Sequence, residues 1–109
     1  MTETEFLSLA ETIFSKIETQ VDQWFEHLDL DIDASRNGAV LSLTFANRQQ
    51  AIINTQAPLQ EIWLAAPSGA WHYQFHNGHW EDTRGELNLA QRLSKVCSEL
   101  SQHPLTIEL

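Results

Sequence analysis

The chain has 109 residues, of which 42% are hydrophobic, and a formal net charge of −9 at pH 7. This length and apolar content predict one folded domain with a single core and exclude an intrinsically disordered chain. Nine of the fifteen acidic residues precede residue 34, where Lys16 is the only lysine or arginine. Such a segment repels nucleic acid and attracts metal cations or basic protein surfaces.

The sequence also indicates the cellular compartment of the protein. The single Cys97 excludes an internal disulfide and a cysteine metal cage. No apolar run approaches the roughly twenty residues that a membrane span needs, and the first residues lack the basic start of a secretory signal. We therefore expect a soluble cytoplasmic protein that binds neither membranes nor nucleic acid.

The first predicted element is an amphipathic helix from Glu5 to Leu28, because apolar residues recur there at steps of three and four. They are Phe6, Ala10, Ile13, Ile17, Val21, Trp24 and Leu28. At about 100° per residue, these side chains occupy an arc of about 80°. Four acids lie on nearly the opposite side, namely Glu11, Glu18, Asp22 and Glu26. The helix should bury one face and expose a row of carboxylates.

From Leu28 onward, apolar residues recur at every second position instead of every third or fourth. Apolar and acidic residues alternate from Leu28 to Ala34, which predicts a strand that presents Asp29, Asp31 and Asp33 on one side. The pair Asn37-Gly38 predicts a type I′ hairpin turn, with positive φ at both central residues. A return strand follows at 40–45, with Leu41, Leu43 and Phe45 facing inward.

The rest of the chain predicts short strands around 51–54, 61–65, 71–75 and 79–81, separated by turn residues. A second helix should follow Gly85, with an apolar stripe formed by Leu87, Ala90, Leu93, Cys97 and Leu100. The tail 105–109 alternates again and should close the core or add a short strand. The order of elements predicts one α+β domain over residues 1–109, in which two helices pack on one face of an antiparallel sheet of about five to seven strands.

The first candidate site is the acidic ridge, our name for Glu11, Glu18, Asp22, Glu26, Asp29, Asp31 and Asp33. Alternate residues of a strand stand about 6.6 Å apart, too far for a tight metal cage but suitable for several loose oxygen sites. Carboxylates are hard ligands, so magnesium, calcium, manganese and iron are all chemically admissible. The alternative is a solvated helix face beside an edge strand whose charges deter aggregation.

The second candidate site lies on the open face of the sheet. If Ile62 and Leu64 face the helices, Trp63 points to the opposite face, near Asn54, Gln56 and His72. An exposed tryptophan among polar side chains is typical of an interface anchor. A register shifted by one residue would instead bury Trp63 in the core.

Three histidines, His72, His76 and His79, have a spacing that a transition metal could use, although strands and turns do not guarantee that they converge. Surface or structural roles are the favoured interpretation. The sequence contains no nucleophile elbow, phosphate-binding glycine loop or His-Glu-x-x-His pair, so we predict that the protein is not an enzyme.

The segment Asn54-Thr55-Gln56-Ala57-Pro58-Leu59-Gln60-Glu61-Ile62-Trp63-Leu64-Ala65 resembles the signature strand region of the frataxin family. The acidic first helix, the acidic segment after it, Ser68-Gly69-Ala70-Trp71-His72-Tyr73 and Trp80 agree with this resemblance. It covers nearly the whole chain and is nearest to the bacterial branch of the family.

The resemblance implies a protein of iron–sulfur cluster biogenesis that is not itself an enzyme. It implies weak binding of ferrous and ferric iron at the acidic ridge, with Glu3 and Glu5 as further candidates. It also implies docking on the cysteine desulfurase and its scaffold complex through Asn54, Gln56 and Trp63. Separately, we expect a monomer that metal could assemble into oligomers.

Three residues depart from the bacterial pattern. Leu7 replaces a frequent histidine, Gln23 replaces an acid, and Phe25 falls where an acid is usual, so the iron site of the family is expected to be altered here. An alternative function remains open, an acidic adaptor or inhibitor that masks a basic partner surface and uses no metal.

Overall fold

The computed structural model describes residues 1–109, which form two helices and six strands. Helix α1 spans Glu3–Leu28 and helix α2 spans Leu89–Ser101. Neither helix is long and apolar enough to cross a membrane. The strands are β1 Ile32–Asn37, β2 Val40–Phe45, β3 Gln50–Gln56, β4 Glu61–Ala66, β5 Gly69–His76 and β6 His79–Asp82. A short 3₁₀ turn over Ala57–Leu59 joins β3 to β4 at Pro58.

The six strands form one antiparallel sheet in chain order, with β1 and β6 at its edges. Each connection is short, which is why sequence neighbours pair. The buried faces of both helices meet the inward residues of the strands in one hydrophobic core. The predicted α+β class, the antiparallel meander and the single covered face are confirmed.

Helix α1 begins with a capping box, in which Thr2 Oγ accepts from the N–H of Glu5 and the Glu5 carboxylate accepts from the N–H of Thr2. The predicted apolar face is confirmed from Phe6 to Trp24. It differs at two positions, since Leu28 is 43% exposed and Phe14 is buried. Phe14 widens the buried face toward β1.

The predicted strand from Leu28 to Ala34 is wrong over its first half. Helix α1 continues to Leu28, and Asp29 caps it in the left-handed conformation at φ 54°, with its N–H donated to the carbonyl of Trp24. Strand β1 starts only at Ile32. Seven alternating residues do not reveal where helical hydrogen bonding stops, because Leu28 also continues the three- and four-residue spacing of α1.

The turn between β1 and β2 also differs from the prediction. Asn37 pairs with Val40, so Gly38 and Ala39 are the central residues, and of these only Gly38 has positive φ. This pattern fits a type II′ turn rather than the predicted type I′ turn. The turn that has positive φ at both central residues is Asn77-Gly78, between β5 and β6.

Helix α2 begins at Leu89, where Asn88 and Gln91 form its capping box, and Leu87 lies before the helix and is 38% exposed. The tail closes the core without forming a strand. Its buried residues Leu105 and Ile107 donate their N–H groups to the hydroxyls of Ser98 and Ser94 on α2, each at 2.9 Å.

Candidate functional site

The acidic ridge divides into two parts because of one arginine. Arg36 lies on β1 with its guanidinium toward α1, and its Nη1 donates to both carboxylate oxygens of Glu11 at 2.9 and 2.8 Å. Its Nη2 lies 3.4 Å from Glu18 Oε1 without forming a hydrogen bond. Arg36 therefore binds Glu11 and lies beside Glu18, which we call the paired acids, and its single positive charge offsets one of their two negative charges.

Arg36 is held in place by its surroundings. Its side chain is only 27% exposed, and the guanidinium carbon lies 5.0 Å from the centre of the Phe14 ring, within range of a cation–π contact. The hydrogen bond from Arg36 lowers the pKa of the Glu11 carboxyl, so this acid stays ionised. The pairing is thus part of the folded structure.

The other five members of the acidic ridge, which we call the free acids, are uncompensated. They are Asp22, Glu26, Asp29, Asp31 and Asp33. All five are exposed, and none of their carboxylates forms an ion pair or a side-chain hydrogen bond. Five negative charges thus follow one another from the last turns of α1 into β1.

The position of the free acids on the backbone adds to their repulsion. Glu26 lies in the last turn of α1 and Asp29 caps it, where the helix dipole is negative and a carboxylate is unfavourable. His27 is the only basic residue in that turn. A cation or a basic side chain placed there would relieve both the repulsion between the acids and the effect of the dipole.

The free acids do not all lie on one surface. Asp33 lies on the open face of β1, since its neighbours Ile32 and Ala34 pack toward the helices. Asp31 belongs to the connection before β1. No three histidine, cysteine, aspartate or glutamate side chains converge in an arrangement that could hold a metal ion. A cation here would meet one or two carboxylates and complete its shell with water.

The sheet-face site has the predicted register. Trp63 lies opposite Asn54 of β3 and His72 of β5, so the three side chains form a row on the open face. Ile62 and Leu64 are buried beneath them, and Trp63 does not belong to the core. The Nε2 of Gln56 donates to Asn54 Oδ1 at 2.7 Å, which brings the fourth predicted residue into this group.

Glu61 fixes the orientation of Trp63. Its Oε1 accepts from the indole Nε1 at 2.9 Å, and its Oε2 accepts from Gln74 Nε2 at 2.8 Å. His72 stacks on the indole with ring centres 4.1 Å apart and planes within 6°, and its Nδ1 lies 3.8 Å from Glu61 Oε1. The tryptophan is therefore presented in one orientation, which lowers the entropy that a partner must remove on binding.

The three histidines do not come together. His76 and His79 face each other across the β5–β6 turn, whereas His72 lies four residues back along β5, about 13 Å away at the usual strand rise. His72 contributes to the Trp63 stack, and the structure assigns no shared role to the other two.

Two residues of these sites were not among the predicted site residues, although the sequence already placed Glu61 on the face of Trp63. Arg36 shares the inward parity of Ile32 and Ala34, and a basic side chain directed toward an acidic helix is a signal that was available. Glu61 stands two residues before Trp63, so it shares the face of the indole, but its hydrogen bond required knowledge of the side-chain conformation.

Comparisons with known proteins agree with this architecture. A family model of the frataxin-like domain matches residues 1–103. The iron–sulfur cluster assembly protein CyaY of Bordetella pertussis is 47% identical over 109 residues, which cover the full length of both chains.

Solved structures extend the comparison to three dimensions. A frataxin from Psychromonas ingrahamii, 32% identical, superposes with a TM-score of 0.85 over the full length of both chains. The trimeric frataxin of Saccharomyces cerevisiae complexed with ferrous iron, 25% identical, superposes with a TM-score of 0.73 over 85% of each chain. The arrangement of two helices on a six-stranded antiparallel sheet is thus shared with both.

Proposed function

The chain belongs to the frataxin-like family, and we propose that it is an iron-binding regulator of iron–sulfur cluster assembly in the bacterial cytoplasm. In this proposal the free acids hold ferrous or ferric iron weakly, and the row around Trp63 docks on the cysteine desulfurase and its scaffold complex. The protein has no catalytic activity of its own and modulates the enzyme that it binds.

The observation that carries the iron part of the proposal is the group of five exposed carboxylates without counter-ions at the end of α1 and the start of β1. Carboxylate oxygens suit hard cations, and a related frataxin is complexed with ferrous iron. Because no three donors converge, binding should be weak, multiple and exchangeable. These are properties of a carrier or sensor of iron rather than of a tight store.

The docking part rests on two surfaces of different chemistry. The free acids complement a basic patch, and long-range attraction of this kind speeds association more than it adds affinity. The oriented stack of Trp63 and His72 supplies an aromatic anchor. Since the acids serve both roles, iron and the basic partner are expected to compete for them.

An amide NMR titration with iron(II) under anaerobic conditions, with magnesium as the control ion, tests the iron part. We expect selective broadening at Asp22, Asp29, Asp31 and their neighbours. Replacing Asp29 and Asp31 together by asparagine should weaken iron binding. The matched control, Glu99→Gln with Glu108→Gln, removes the same charge elsewhere and should not. Broadening centred on His76 and His79 would refute this assignment of the site.

The double charge reversal Asp22→Lys with Asp31→Lys tests the docking part. We expect it to abolish binding to the desulfurase at low salt while circular dichroism shows an intact fold. Unchanged affinity at low salt would exclude the free acids from the interface.

A second candidate function is a metal-independent acidic adaptor or inhibitor, which the absence of convergent donors favours. It predicts that complex formation with the desulfurase is the same with and without iron(II). An iron-dependent change in affinity would separate the iron-binding regulator from this adaptor.

A further inference from the structure

We infer that Arg36 is a built-in counter-ion that closes the N-terminal part of the acidic ridge and confines cation binding to the free acids. The inference rests on the proposed function, because it specifies where on that ridge iron binds. In this inference, Arg36 determines which carboxylates of the acidic ridge can bind a cation.

The geometry shows that the guanidinium already occupies the space between the paired acids. Both oxygens of Glu11 accept from Arg36 Nη1, and Glu18 lies 3.4 Å from Nη2. Glu11 is additionally bound by the hydroxyl of Ser15 at 3.3 Å. Glu11 therefore has no oxygen without a partner, unlike the carboxylates of the free acids.

The Arg36 end of this pair is difficult to displace, although the Glu11 side chain is 61% exposed. The Arg36 side chain is 27% exposed and contacts the Phe14 ring, so moving it would cost packing as well as two hydrogen bonds. A metal ion bound between Glu11 and Glu18 without displacing Arg36 would face its positive charge at contact distance. Even in bulk water, such repulsion between two unit charges weakens binding by about fivefold, and by more for a divalent ion.

The free acids carry no such penalty. No arginine, lysine or histidine nitrogen pairs with any of them. The acidic ridge therefore consists of two groups of carboxylates, of which only the free acids are open to a cation. Residue Arg36 decides this division, although it neither binds the ion nor belongs to the acidic cluster.

The test compares iron(II) affinities, measured anaerobically by calorimetry, for variants of the full chain. In the wild-type background, Glu11→Gln with Glu18→Gln should change the apparent dissociation constant by less than about twofold. Arg36→Gln should open the paired acids and tighten apparent binding by at least about threefold. That gain should disappear when Glu11→Gln and Glu18→Gln are added to Arg36→Gln.

Two further variants serve as controls. Arg36→Lys keeps the charge and should keep wild-type affinity, whereas Lys95→Gln removes a charge on α2 and should not reproduce the gain of Arg36→Gln. Thermal unfolding of each variant establishes that it is folded. If Arg36→Gln does not fold, the comparison of Glu11→Gln with Glu18→Gln against Asp29→Asn with Asp31→Asn still decides the question in the wild-type background.

The outcomes separate the two proposals. The inference is overturned if replacing the paired acids weakens wild-type binding as much as replacing Asp29 and Asp31, or if Arg36→Gln brings no gain while the free acids bind iron. If wild type does not bind iron and Arg36→Gln does, the proposed function fails together with the assignment of binding to the free acids, and only the closing of the paired acids by Arg36 stands. If neither protein binds iron, both proposals fail.

Discussion

Replacing Asp29 by glycine should stabilise the fold while weakening cation binding. Asp29 caps α1 in the left-handed conformation at φ 54° and ψ 37°, a conformation that glycine adopts without a steric penalty. It also places a negative charge at the negative end of the helix dipole. The wild-type residue is therefore unfavourable for stability on two separate grounds.

The expected gain is the sum of a backbone contribution and a charge contribution. Relief of the left-handed conformation is worth about 0.5 kcal/mol, because aspartate tolerates this region better than most residues. Removal of the charge adds about 0.3–1 kcal/mol at low salt. A gain near 1 kcal/mol should raise the melting temperature by about 4–8 °C in a domain of this size.

Two matched variants separate the contributions. Asp29→Asn removes the charge and keeps a side chain suited to the left-handed region, so it should show only the part of the gain that salt screens. Gln102→Gly changes the cap of α2, which has nearly the same conformation at φ 57° and ψ 35°, and should show a gain independent of salt. Urea and thermal unfolding at low and high salt measure both.

A destabilised Asp29→Gly, or a gain with no salt-dependent part, would refute the reasoning that this acid is kept at an electrostatic cost. Asp29→Gly should also weaken iron(II) binding, since one of the free acids is lost. Greater stability with unchanged iron affinity would remove Asp29 from the candidate site.

Three other predictions follow from the core and the sheet face. Trp63→Ala should lower the free energy of unfolding by no more than about 2 kcal/mol, because the indole is only half-buried. The same variant should lose most of its binding to the assembly complex in a pull-down, and a larger loss of stability would place Trp63 in the core. Ser98→Ala should cost about 1–3 kcal/mol in urea unfolding, since it leaves the buried N–H of Leu105 without an acceptor, and a negligible change would show that the tail does not depend on this bond. Burial, with the nearby charge of Asp82, raises the pKa of the Tyr73 hydroxyl above its value in the unfolded chain. The contribution of Tyr73 to stability is therefore complete below about pH 10 and is lost as the pH rises further, and unfolding curves that do not change above that pH would contradict this.

Much of the fold and the placement of the sheet-face site were predictable from the sequence. Burial along a helix or strand follows a local period, so the inward direction of Ile62 and Leu64 fixed the outward direction of Trp63 without knowledge of the partner strands. The burial of Cys97 was predictable from the same kind of local period. Cys97 lies in the apolar stripe of α2, and its burial raises the pKa of the thiol to about 12.

Boundaries and turns were less predictable, as Asp29 and Gly38 show. Helix α1 ends after Leu28, where the N–H groups of Asp29 and Leu30 both donate to the carbonyl of Trp24, but the alternating sequence favours a strand at the same place. The register of β1 on β2 likewise decides which two residues form the turn, and this register is set by packing of the whole strand pair.

The amino-acid sequence by itself determined that this protein has an acidic surface, an antiparallel sheet under two helices and an outward-facing tryptophan. Only the tertiary structure decided which acids are free. Residues 11 and 36 are distant in sequence, and their ion pair exists because α1 packs beside β1 and directs Arg36 toward Glu11. Composition and periodicity record charge and burial one residue at a time, whereas the neutralisation of a charge depends on which side chains the fold brings within contact distance.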